Sequence, residues 1–224
     1  MADAVHRQAV GGLNNLSARL PPALRARHAE RVTQFLHGKR FYGCGGLEVS
    51  DDMRRRVAEL ACLLILREDA AVFPHLRSVL LYPSAFLVPQ HEPDELGLVS
   101  DEPLEQIGES WLGDRVVLSW ADVEAALAGD STNVVAHEFA HQLDIGQGFP
   151  AGVDPARWAP VMQQEFERLQ RHRRPPVLDP YGAEGPEEFF AVATEAFFQR
   201  GAALEQHHPE LYGLLREFYG FETA

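Results

Sequence analysis

Asn133, Val134, Val135, Ala136, His137, Glu138, Phe139, Ala140, His141, Gln142, Leu143 and Asp144 form the stretch on which the reading of this chain turns. Residues four apart on an α-helix differ by about 40° of rotation and roughly 6 Å of rise. His137 and His141 therefore share one face, where two imidazoles can hold a single Zn²⁺ through nitrogens at about 2.0–2.1 Å. Glu138 then lies beside the metal rather than on it, placed to take a proton from a metal-activated water. Val134, Val135, Ala136, Phe139, Ala140 and Leu143 frame the polar trio and predict a buried helix. Buried ionisable groups are costly unless they are paired, and a metal supplies the partner.

Around this motif the chain is 224 residues long, with 46% hydrophobic and 24% charged residues. That composition is globular, and the length suits one substantial core. We expect a single domain over residues 1–224, with a helical part over about residues 1–70 packed on a catalytic part over about residues 71–224. The formal net charge of −13 argues against binding nucleic acid phosphates and against anionic membrane surfaces. It still allows docking onto a basic partner protein. The N-terminal residues lack an apolar core of the kind export signals carry, and the run Leu60 to Leu66 is too short to cross a bilayer. Cys44 and Cys62 read as reduced thiols of a cytoplasmic protein rather than as a disulfide scaffold.

Proline, glycine and capping signals divide the rest. They predict one helix from Pro21-Pro22 to Leu36 and a second, opened by Ser50-Asp51-Asp52, running to about Arg67. Between them, Phe41 to Gly46 is glycine-rich; it lacks the Lys-Ser/Thr of a phosphate loop and reads as a turn. Strands are expected at Ser78–Tyr82, Ala85–Val88 and Arg115–Trp120, with irregular chain from Gln90 to Gly113. A brief helix from Asp122 to Ala128 precedes a capping region, Gly129 to Asn133, that opens the two-histidine helix. Gly146 to Gly152 reads as loop. Further helices are predicted from Pro155 to about His172, from Pro186 to Gln199 with Gly201 closing it, and from Pro209 to Tyr219. The fold class is α+β, mostly helical with a small mixed sheet.

A catalytic zinc site takes three protein ligands and keeps one position open. A metzincin would carry Gly at 144 and His at 147, where this chain has Asp144 and Gln147. A carboxylate is left, and the helix from Pro186 is its natural source. Glu188 and Glu195 lie seven apart on one face, so either can bind the metal while the other orients a histidine. Glu187 points elsewhere and is solvated. Asp179 is a less favoured alternative, because its loop neighbours Leu178 and Pro180 suit it to capping. The remaining histidines, among them His28, His207 and His208, read as surface or core residues.

Taken together, several segments resemble the Mlc titration factor A family of zinc-dependent gluzincin peptidases. They are Phe41 to Val49, Tyr82 to Phe86, Gly108 to Trp111, Val116 to Trp120, Asn133 to Asp144 and Tyr181 to Val192. The catalytic end is also similar to the protease domain of anthrax lethal factor, in which a tyrosine precedes the ligand glutamate by seven residues. The resemblance implies a zincin-like fold and peptide-bond hydrolysis, leaving aminopeptidase and endopeptidase action both open. It implies His137, His141 and Glu188 as zinc ligands, Glu138 as general base and Tyr181 as the transition-state tyrosine. Lethal factor has an acid four residues after its ligand glutamate; here that position is Val192, and Glu195 one turn on is the candidate to replace it. Asp144 is a second candidate for orienting a ligand. The resemblance also implies a partner, an Mlc-like DNA-binding repressor held by direct contact. The alternative to a peptidase is therefore a non-catalytic protein that sequesters such a repressor.

Overall fold

The computed structural model describes residues 16–17, 19–84, 114–129, 132–144, 152–172 and 176–224. Helix α1 (Pro22–Gly38) starts on a proline whose missing N–H costs nothing at a helix start, and leads into strand β1 (Arg40–Gly43). Ser50 caps α2 (Asp51–Ala61) by accepting from the Met53 amide at 3.2 Å, and Asp51 and Asp52 suit the positive end of its dipole. The helix expected to reach Arg67 instead tightens into a 3₁₀ turn, Cys62–Ile65, all four residues of which are buried. Strands β2 (Ser78–Tyr82) and β3 (Arg115–Ser119) follow.

These strands form one three-stranded sheet in the order β1-β2-β3, and both pairings are parallel. The mixed sheet anticipated from the sequence is thus corrected among the described residues. β2 lies in the middle, where four of its five residues are buried, as expected for a parallel strand covered on both faces. The predicted strand Ala85–Val88 and the segment Gln90 to Gly113 lie outside the described residues. β1 falls where only a turn was expected. The turn follows it, with Gly45 and Gly46 at positive φ. Gly43 closes the strand because a Cβ there would come 1.8 Å from the Leu47 carbonyl oxygen.

Ser119 ends β3 and caps α3 (Trp120–Ala128), so Trp120 opens a helix rather than closing the strand. The two-histidine helix is α4 (Val134–Asp144). Asp154 caps α5 (Pro155–Arg171), and a 3₁₀ turn, Pro180–Ala183, precedes the long α6 (Pro186–His207). The first helical run of α6 ends at Gln199, where the sequence put it, and a second run continues the element to His207. The backbone leaves helical geometry at Arg200, and the Thr223 hydroxyl donates to the Phe197 carbonyl at 2.6 Å near the break. Gly201 faces that C-terminal segment so closely that a Cβ would meet Thr223 Oγ1 at 2.3 Å. Helix α7 (Pro209–Tyr219) completes the chain, ended by Gly220 in the left-handed region.

One hydrophobic cluster runs from Leu16 through α2, the sheet, α4 and α6 to Tyr219. Phe139 of α4 sits at its centre, 5.7 Å from Phe35 and 4.9 Å from Phe73 between ring centroids. Burying such a ring stabilises by about 1.5–3 kcal/mol, so the metal-motif helix is pinned from behind by its own apolar face. Among the described residues no helix is long and apolar enough to cross a membrane.

Candidate metal centre

Asn133 starts the site. It is fully buried, its side-chain oxygen accepts from the Ala136 amide at 3.0 Å, and its carbonyl accepts from the His137 amide at 2.9 Å. Those bonds begin α4 three to four residues before the chemistry. Phe139 then fixes the helix rotation, and His137 and His141 emerge together on the opposite side, ring centroids 5.0 Å apart.

Helix α6 packs against this face and supplies two carboxylates. Glu188 Oε2 lies 3.0 Å from His137 Nε2 and 3.7 Å from His141 Nε2. One ligand atom from each of His137, His141 and Glu188 falls within 4.8 Å of the others. Among the described residues this is the one group of His, Cys, Asp and Glu side chains gathered closely enough to hold a metal ion. Glu195 stands behind it. Its Oε1 is 2.8 Å from His137 Nδ1, and its Oε2 accepts from the Asn133 backbone amide at 2.6 Å. The two acids that the sequence left interchangeable thus meet opposite nitrogens of one imidazole.

The electrostatics follow from this crowding. Burial pushes the Glu138 carboxyl above the ordinary carboxylate value; His137 opposes the shift, and the charges of Glu188 and Glu195 add to it. For His137 burial alone would favour the neutral ring. The Glu195 hydrogen bond and charge, with Glu138 and Glu188, outweigh burial and raise its pKa.

Tyr181 sits on the 3₁₀ turn, 47% exposed, its ring 5.9 Å from that of His137. Partial burial and the nearby Glu188, Glu184 and Glu138 carboxylates raise its phenol above the usual value. Asp179 accepts from the Tyr181 amide at 2.9 Å, so this acid caps the turn and stands outside the cluster. Gly182 lets the turn press between α5 and α6, since a Cβ would meet Leu169 Cδ2 and Val192 Cβ at 3.1 Å. Val192, at the position where lethal factor carries an acid, is therefore packing surface. Glu187 is exposed, as expected. Asp144 ends α4, but its side chain lies outside the described residues.

An apolar groove of about 480 Å³ opens elsewhere, lined by Trp158, Met162, Phe166, Phe189, Phe190 and Phe218 among others. Phe190 is about 200° around α6 from Glu188, so the groove faces away from the metal cluster. His137, His141, Glu188 and Glu195, all singled out in the sequence, lie together here; the part played by Asn133 was not foreseen, because its signal was only that of a helix cap.

The family model described as glucose-regulated metallo-peptidase M90 matches residues 2–220. An uncharacterised protein of Synechocystis is 37% identical over 218 residues, covering 92% of this chain and 79% of its own. Mlc titration factor A of Pectobacterium atrosepticum is 33% identical over 203 residues, 85% of this chain and 77% of the relative. The protein of the same name from Serratia proteamaculans is 33% identical over 198 residues, covering 83% and 76%. A metallopeptidase family implies a metal ion, and the two histidines with Glu188 are the candidate place for it. With a match spanning almost its full length, the chain belongs to the glucose-regulated metallo-peptidase M90 family, alongside proteins named Mlc titration factor A.

Proposed function

We propose that this protein is a zinc-dependent peptidase of the gluzincin kind, with His137, His141 and Glu188 as the metal ligands. The observation that carries the reading is the convergence of those three side chains while Glu195 occupies the far nitrogen of His137. The donor set fits. Two ligands on a tetrahedral ion at 2.0–2.1 Å stand roughly 3.3 Å apart, and the observed oxygen-to-nitrogen separations of 3.0 and 3.7 Å bracket that value. Two imidazoles and one carboxylate also suit zinc in its open, catalytic form. When bound, zinc supplies a Lewis acid that makes water nucleophilic near neutral pH.

The chain's own groups do the rest. Glu138 accepts the proton of the attacking water and passes it to the leaving amine, and its raised carboxyl moves it toward the pKa such a base needs. Tyr181 keeps its proton and donates its hydroxyl to the oxyanion that forms at the peptide carbonyl. Glu195 accepts from His137 Nδ1–H, which fixes the tautomer and leaves Nε2 free to face the metal. Among the described residues β3 is paired on one side only, and an extended peptide can add a strand there.

The test joins metal content to hydrolysis of a peptide library, with and without chelator. Glu138→Gln should keep its zinc and lose about 10²–10⁴ in turnover, the usual contribution of a general base. Unchanged turnover in that variant rejects the base assignment, and hydrolysis indifferent to chelation rejects the metal.

The name Mlc titration factor A on the relatives favours a second role, capture of an Mlc-like repressor, which would place the protein in the cytoplasm. Repressor binding measured on wild type and on Glu138→Gln separates the two. Binding that survives the loss of hydrolysis makes the roles independent; binding that vanishes with it ties capture to the intact site.

A further inference from the structure

We infer that Asn133 is a positioning residue for this metal centre: an uncharged cap that holds the Glu195 carboxylate against His137. Three of its polar groups serve the site at once. Its backbone N–H donates to Glu195 Oε2 at 2.6 Å, its side-chain oxygen accepts from Ala136 N–H, and its carbonyl accepts from the amide of His137 itself. The backbone amide of His137 and the carboxylate that aims its ring are thus both bonded to one buried residue.

The helix alone does not explain the amide. Asn, Asp and Ser are near-equal N-caps, and an acid at that end gains from the helix dipole. The side-chain nitrogen of Asn133 is moreover buried with no hydrogen-bond partner among the described residues, an arrangement that disfavours an amide unless something else requires it. The requirement comes from the neighbour. A carboxylate at 133 would put a negative charge on the residue whose own amide holds Glu195, close to carboxylates that already include Glu138 and Glu188. Like charges in such a place repel, and any shift of Glu195 would release His137 Nδ1. An uncharged cap starts the helix without that repulsion.

This inference rests on the cluster being a metal site, and its test keeps the two questions apart. Zn²⁺ affinity is measured by competition with a chromophoric chelator, and thermal midpoints are taken on metal-free protein. The variants are Asn133→Asp, Asn133→Ser, Glu195→Gln and the double variant Asn133→Asp/Glu195→Gln. Asn133→Asp should weaken Zn²⁺ binding about 10- to 100-fold, the usual cost of losing a ligand's orienting partner. Asn133→Ser, a neutral cap, should stay within a fewfold of wild type. Removing the opposing charge makes the double variant no worse than Glu195→Gln alone, and its midpoint recovers from that of Asn133→Asp.

Wild-type affinity in Asn133→Asp, equal losses in Asp and Ser, or losses that simply add in the double variant would overturn the inference. If Asn133→Asp does not fold, the double variant decides: a folded double supports the coupling, an unfolded one ends it. If wild type takes up no Zn²⁺, the metal reading fails by itself. The midpoints of the four variants still judge the coupling between Asn133 and Glu195.

Discussion

Two histidines in this protein each lean on a glutamate, and only one of them belongs to the candidate metal cluster. His137 Nδ1 meets Glu195 at 2.8 Å; His208 Nδ1 meets Glu165 at 2.6 Å. The difference lies at the other nitrogen. His137 Nε2 faces Glu188, with His141 alongside, whereas His208 Nε2 is buried with no hydrogen-bond partner among the described residues. Glu165 also receives Arg168 at 3.3 Å, and the same guanidinium donates to the His207 carbonyl at 3.2 Å. That second pair ties α5 to the joint between α6 and α7, while the first aims a ring. A carboxylate behind a histidine orients the ring in both places. Chemistry is marked by what converges on the nitrogen left over.

The sharpest way to break the comparison is to delete each imidazole. His137→Ala should abolish metal uptake and hydrolysis together, both read on one preparation by metal analysis and peptide turnover. His208→Ala should keep wild-type metal content and lower stability by about 1.5–3 kcal/mol, the range for a hydrogen bond to a charged group. Metal loss in His208→Ala would mean that the two pairs are coupled through α6. Tyr181→Phe comes next. Removing an oxyanion donor costs roughly a hundredfold in kcat, with thermal midpoint and metal content unchanged because the hydroxyl belongs to a half-exposed side chain. A rise in KM with kcat intact would instead make Tyr181 a substrate-binding group.

The site was more legible than the fold around it, for a physical reason. His137 and His141 are related by a four-residue helical step, and local geometry of that kind is written in local sequence. Glu188 and Glu195 share a face for the same reason, so periodicity could not say which one meets the metal side. Their division is set by how α6 slides along α4, across separations of 51 and 58 residues. The parallel sense of the sheet was equally invisible, since alternation carries no direction. β1 was hidden by its brevity and by the glycines that follow it. Asn133 reaches Glu195 through a backbone N–H, and no side-chain pattern can announce that. The buried partner of His208 belongs to the same class: Glu165 reads as one acid among several on α5 until the joint between α6 and α7 folds over it.

The smallest effect tests whether the Glu165–His208 pair is the purely structural one. Burial alone would raise the Glu165 carboxyl, but the His208 hydrogen bond and charge, with Arg168, outweigh it and hold the group below its ordinary value of 4.5. A carboxylate whose folded-state pKa is depressed stabilises the fold fully above its unfolded value, and that contribution disappears as pH falls through the folded one. Glu165→Gln should therefore melt below wild type near pH 7, by about 1 kcal/mol or about 2–4 °C for a chain of this size. The gap should close on acidification below 4.5, because wild type loses there what the variant never had. Metal-free protein is the right sample, so that the cluster's own acids contribute equally to both curves. A gap that stays constant down the acid limb would show that shape, rather than charge, is what Glu165 gives to the joint. A gap that appears only when Zn²⁺ is present would move the pair out of the scaffold and into the mechanics of the site.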